Sequence, residues 1–148
     1  MSGDPADRTR PTRIDADAVR AIERHGAETY PDECCGALIA VGGIIVEALP
    51  LANTTTAGAA RRFRIGPDAY KMAEDRAQAR DGTLAGFYHS HPNEAARPSG
   101  YDLDHAWPNL SYIIISVRDG VPGDARVWHL RDDRAAFDEG ALTWVTGS

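Results

Sequence analysis

Several absences narrow the field for this 148-residue chain before any motif is read. No apolar run comes near the roughly 18 residues needed to cross a membrane. The first thirteen residues, MSGDPADRTRPTR, are polar and hold two prolines, so they contain no secretory h-region and read as a disordered tail. There are only two cysteines, Cys34 and Cys35, and they are adjacent, which suits them poorly to stapling distant segments. A reducing, cytoplasmic setting fits that usage best. Net charge is −6 with no lysine–arginine stripe, which argues against nucleic acid as the main ligand. No internal repeat or low-complexity tract is visible.

What remains is an ordinary globular composition, 43% hydrophobic and 26% charged, long enough for one domain with a sizeable core. Asp15 reads as an N-cap, with Ile14 and Val19 placed as a hydrophobic staple, and the stripe of Val19 and Ile22 predicts a helix from Ala16 to about Glu28. The runs Cys35–Val41 and Ile44–Leu51 flank Gly42-Gly43, a hairpin signal. Thr54–Arg62 reads as a flexible loop and Arg62–Ile65 as a short strand. Pro67 suits a first helical position before good helix formers over Asp68–Arg80. Strands are predicted at Leu84–Ser90, Leu110–Val117 (buried on both faces), Ala125–Arg131 and Ala141–Val145. A short helix is predicted at Ser99–Trp107. The irregular alternation points to a single α+β (mixed α/β) domain over 14–148, a mixed and mainly antiparallel sheet flanked by helices.

The stretch GFYHSHPNEAARPSGYD, Gly86 to Asp102, carries the chemistry. On a strand, His89 and His91 share one face while Ser90 points away. On a helix, Ser99 and Asp102 lie on one side. Two imidazoles and a carboxylate are a plausible ligand set for catalytic zinc, which takes three protein ligands and keeps one position open. Each half has a bland reading. His-x-His at a strand end is common, and Ser99-x-x-Asp102 after Pro98 is also a capping box, a role Ser99 could combine with lining the site.

Other titratable groups fit less well. Asp104 lies about 200° round a helix from Asp102. Asp32 would face away from its neighbour Glu33. His105 reads as a surface residue or one supporting the site indirectly, and His25 and His129 as structural or solvated. Cys34 and Cys35 read as small packing residues on opposite faces, and Trp107, Trp128 and Trp144 as core. No His-Glu-x-x-His or Pro-Cys-x-x-Cys occurs, which excludes zincin and deaminase patterns.

The full spacing, His89-Ser90-His91-Pro92, six residues, then Ser99-x-x-Asp102, resembles the motif of the JAMM (MPN+, JAB-type) metallopeptidases, in particular bacterial stand-alone members. The resemblance implies one zinc ion held by His89, His91 and Asp102. It implies an upstream glutamate, the place of Glu33 in PDECCGALIA, as general base and acid for a zinc-activated water. It implies Ser99 as donor to the oxyanion. The implied substrate is an amide or isopeptide bond after the C-terminal Gly-Gly of a ubiquitin-like or sulfur carrier protein, with cysteine or a C-terminal extension as leaving group. The Thr54–Ile65 region would offer an edge to that tail. No nucleic acid or membrane partner is implied, and a homodimer is left open. The alternative is a catalytically inactive scaffold of the same fold.

Overall fold

The computed structural model describes residues 11–52 and 65–145. Its elements are β1 (Thr12–Asp15), α1 (Ala16–Thr29), β2 (Cys35–Val41), β3 (Ile44–Leu51), α2 (Pro67–Ala79), β4 (Thr83–Pro92), α3 (Gly100–Asp104), β5 (Ser111–Arg118), β6 (Val121–Leu130), β7 (Phe137–Glu139) and β8 (Leu142–Val145). The strands form one sheet in the order β7-β6-β5-β4-β2-β3-β1-β8. Four of its seven ladders are antiparallel and three parallel, so the sheet is mixed as expected.

Local chemistry accounts for most of these elements. The Asp15 side chain accepts the Ala18 amide at 2.9 Å and caps α1. Gly42 and Gly43 both have positive φ, 62° and 80°, the backbone that a tight hairpin turn between twisted strands demands. Pro67 starts α2 as predicted. Residues 112–117 of β5 are buried, alternating between two apolar layers. Ile113, Ile115 and Val117 pack with Ile14, Val19, Ile22, Leu38 and Tyr88 beneath α1. Tyr112 packs on the other face with Phe87, Ala73 and Leu130, beside α2.

The departures from expectation involve one long-range pairing, one short strand, one helix boundary and one edge residue. Thr12 and Arg13, read as the end of a tail, belong to β1, which runs parallel to β8 from Thr12↔Leu142 to Asp15↔Val145. Nothing local announces such a pairing. The β7 strand, absent from the sequence reading, exists through its ladder with β6 at Trp128–Leu130. The helix expected over Ser99–Trp107 is the single turn Gly100–Asp104, with Ser99 as N-cap and His105 as C-cap. Pro108 disfavours helical backbone in Trp107, consistent with that early stop. Trp144, expected in the core, is 59% exposed because β8 is an edge strand. The loop over Thr54–Arg62, most of the Arg62–Ile65 strand and residues 1–10 of the expected tail lie outside the described residues; Ile65 itself is not in a strand. No helix among the described residues is long and apolar enough to cross a membrane.

The site-bearing strand β4 sits between β2, antiparallel, and β5, parallel. At Gly86, paired with Ser111, a Cβ would fall inside the Ser111 backbone carbonyl. Gly86→Ala must therefore push β4 from β5, and we expect a loss of about 3 kcal/mol in denaturant unfolding. Parental stability in that variant would show that the strand spacing is not held there.

Candidate metal centre

Strand parity puts His89 and His91 on the face that carries Phe87, and Tyr88 and Ser90 on the α1 face. The antiparallel β2–β4 ladder pairs Cys35 with His89. It continues one step further, with the Ser90 amide donating to the Cys34 carbonyl at 3.1 Å and the Cys34 amide donating to Ser90 Oγ at 2.9 Å. Carried on, that register brings Glu33 level with His91 on the same face. Glu33 is 3% exposed, and its carboxyl is close enough for its charge to act on His91.

Asp102 reaches this face from α3. Ser99 Oγ accepts the Asp102 amide at 3.1 Å, and Asp102 Oδ2 accepts the Ser99 amide at 2.9 Å, a complete capping box. The same Oδ2 lies 3.2 Å from His89 Nε2 and 3.2 Å from His91 Nε2. The two Nε2 atoms are 3.1 Å apart. The bland reading of Ser99-x-x-Asp102 and the ligand reading thus coexist: the cap aims the carboxylate.

These three donor atoms form a nearly equilateral triangle. A tetrahedral zinc site with bonds of about 2.0–2.1 Å sets its ligand atoms about 3.3 Å apart, close to the separations seen. Two imidazole nitrogens and one carboxylate oxygen are also a ligand set that leaves one position open. His89, His91 and Asp102 therefore fit a divalent metal. The His91 ring is turned correctly for this, since its Nδ1 donates to the Ala95 carbonyl at 2.9 Å and leaves Nε2 for the metal.

Electrostatics are strongly perturbed. Burial opposes the charged form of Asp102, yet the His89 imidazole, the close contacts with both histidines and the hydrogen bond from the Ser99 amide outweigh it and hold the carboxyl well below its usual range. Burial pushes the Glu33 carboxyl up to about 8; Asp102 and Glu94 reinforce the rise and His91 opposes it. Burial also raises the thiols of Cys34 to about 11 and Cys35 to about 12, so neither is a thiolate at neutral pH. They lie in opposite apolar layers, as packing residues.

The remaining candidates fall away from the triangle. Asp32 and Asp104 are exposed, Asp32 in a bend rather than a strand. His105 is exposed, stacks on Tyr101 and donates from Nδ1 to the Tyr101 carbonyl, although it also edges a small hollow beside His89 and Asp102. His25 Nδ1 bonds the Tyr88 hydroxyl at 2.7 Å under α1, and His129 meets Ser111 Oγ. Trp107 and Trp128 are partly buried against the α2-side layer. The sequence reading missed the apolar wall of the hollow, Ile65, Pro98, Ile114 and Phe137. Alternation in LSYIIISV could have pointed to Ile114; Phe137 depends on β7, which has no clear local signal.

Residues 15–131 match the family model described as prokaryotic homologs of the JAB domain. The tail tip assembly protein K of Escherichia phage N15 is 34% identical over 108 residues, 73% of this chain and 41% of that protein, so the chain spans about two fifths of that relative. The solution structure of a protein from Desulfitobacterium hafniense superposes with a TM-score of 0.77 at 25% identity, covering 91% of this chain and 93% of that one. A JAB1/MPN domain protein from Archaeoglobus fulgidus has the same fold, with a TM-score of 0.59 at 19% identity over 90% of this chain and 98% of that one. So does a structure described as a JAMM metalloprotease-like zinc site in the proteasome and signalosome, with a TM-score of 0.56 at 17% identity over 92% of this chain and 99% of that one. With that match over most of its length and a fold to agree, the chain belongs to the prokaryotic JAB-domain family.

Proposed function

We propose that this chain is a zinc-dependent metallopeptidase. The observation that carries the reading is the donor triangle of His89, His91 and Asp102, with Glu33 buried on the same face. Zinc held there would supply a Lewis acid that makes water nucleophilic near neutral pH. The Glu33 carboxylate would take the proton from the attacking water and return it to the leaving amine, the two halves of general base and acid catalysis. Ser99 Oγ spends an acceptor site on the Asp102 amide, so its own proton stays available to an oxygen gaining charge. As substrate we propose the C-terminal Gly-Gly of a ubiquitin-like or sulfur carrier protein, carrying cysteine or a short extension. Its glycines would approach a recessed centre without side-chain clash.

A second reading, a non-catalytic interaction domain, draws on the name of the phage relative, an assembly protein. The buried cluster weighs against it. Desolvating two imidazoles and a carboxylate costs several kcal/mol that an apolar core would not incur.

Metal content separates the two readings. Purified protein should hold about one zinc per chain by elemental analysis, lost in His91→Ala and in Asp102→Ala; metal-free protein from chelator-free preparation would end the enzyme reading. Turnover is best read from product masses, with carriers bearing C-terminal extensions incubated with and without a chelator. Glu33→Gln should keep zinc and melting temperature but lose ~10²-fold or more in rate. Retained activity would remove Glu33 from the proton path. Ser99→Ala should lose ~10²–10³ in rate as well as the cap's stability of about 1 kcal/mol. Loss of stability alone would leave Ser99 a cap and nothing else.

A further inference from the structure

The segment between Pro92 and Ser99 has no strand or helix of its own, yet three consecutive carbonyls in it are each held by a different side chain. Ser116 Oγ donates to the Glu94 carbonyl at 2.6 Å. His91 Nδ1 donates to the Ala95 carbonyl at 2.9 Å. Trp128 Nε1 donates to the Ala96 carbonyl at 3.0 Å. The entry to the segment is fixed as well. Asn93, at φ 58°, gives its amide to the Val117 carbonyl at 2.7 Å and its Nδ2 to the Tyr30 hydroxyl at 2.8 Å. Its Oδ1 accepts the Asp119 amide at 2.8 Å.

The middle carbonyl is the one that matters to the donor triangle. A carbonyl only accepts, so its bond to Nδ1 selects the tautomer and the ring plane that present His91 Nε2 toward Asp102 and His89. That carbonyl can hold the ring only as firmly as its own backbone is held. No ladder holds it. Beyond the Arg97 amide, which donates to it at 2.8 Å within the same turn, the backbone around it is tied to the sheet by the side chains that hold the carbonyls on either flank. Ser116 is the β5 partner of His91 in the parallel ladder, and Trp128 stands two strands away on β6. Both face the side of the sheet that carries the metal ligands.

We propose that Ser116 and Trp128 are positioning residues for the metal centre, clamping the Glu94 and Ala96 carbonyls so that the Ala95 carbonyl sets the orientation of His91. This inference rests on the metallopeptidase reading. Neither residue touches the metal or the reacting atoms. Their effect runs through one peptide carbonyl and should be seen in metal affinity before it is seen in stability.

The test is zinc affinity by competition with a chromogenic chelator, with the visible spectrum of the Co²⁺-loaded protein as a second readout. Ser116→Ala and Trp128→Phe should each weaken zinc binding by about 10–100-fold and alter the Co²⁺ bands. Ser116→Thr, which keeps the hydroxyl, should restore both. Asp15→Ala serves as control, because it loosens the α1 cap far from the site and should lower the melting temperature without changing zinc affinity. Trp128→Phe preserves most of the ring's packing, so it decides alone if Ser116→Ala does not fold. Folded variants with parental zinc affinity and Co²⁺ spectra would overturn this inference while leaving the enzyme reading intact. A parent protein that binds no zinc would overturn both.

Discussion

The antiparallel ladder between β2 and β4 is the constraint on which the rest depends. Its register, Cys35 opposite His89, decides in one step which β2 residues share a face with the histidines and how far along the sheet they sit. A slip of one residue would turn Glu33 to the α1 side and bring Cys34 to the metal side. The Cys34–Ser90 hydrogen bonds hold this register at the N-terminal end of β2, while the turn at Gly42-Gly43 separately fixes β2 against β3. Ser90, the residue between the ligands, is therefore not a spacer only. It points away from the donors and ties down the residues just before β2, next to Glu33.

Asp102 shows stability and site geometry drawing on the same atoms. Its Oδ2 satisfies the Ser99 amide at the start of a one-turn helix and also faces two imidazoles. A helix of five residues has little stability of its own, so the capping box supplies a large part of what orders it. Ordering the cap and orienting the carboxylate are one event. The charge this places in a buried site is tolerated because each carboxylate lone pair engaged there meets an N–H or an imidazole. Burial raises the Glu33 carboxyl instead, and a divalent cation beside it would draw it back down.

How much of this was legible depended on range. The α1 cap, the Gly-Gly hairpin, the Pro67 start of α2 and the buried β5 strand each have their cause within a few residues, and each stands where local patterns placed it. Each half of the donor set was legible for the same reason, since strand parity aligns His89 with His91 and helical spacing aligns Ser99 with Asp102. Their convergence was read from the family spacing and is made by tertiary contact. The β1–β8 pairing and the exposure of Trp144 were not legible, because those strand partners and that sheet edge depend on residues more than a hundred positions apart. The three-residue β7, though near its partner β6 in sequence, is too short to carry a local pattern.

By itself the sequence determined which chemical groups are present, which of them share a face of one element, and the spacing that marks the family. Tertiary structure alone decided that Glu33 comes level with His91, that the Ala95 carbonyl receives the His91 ring, and that an apolar wall including Phe137 stands beside the donors. The reason is physical. Periodicity reports the direction of a side chain within its own element, whereas the distance between elements is set by ladder register and packing, and a linear sequence carries no local signal for either.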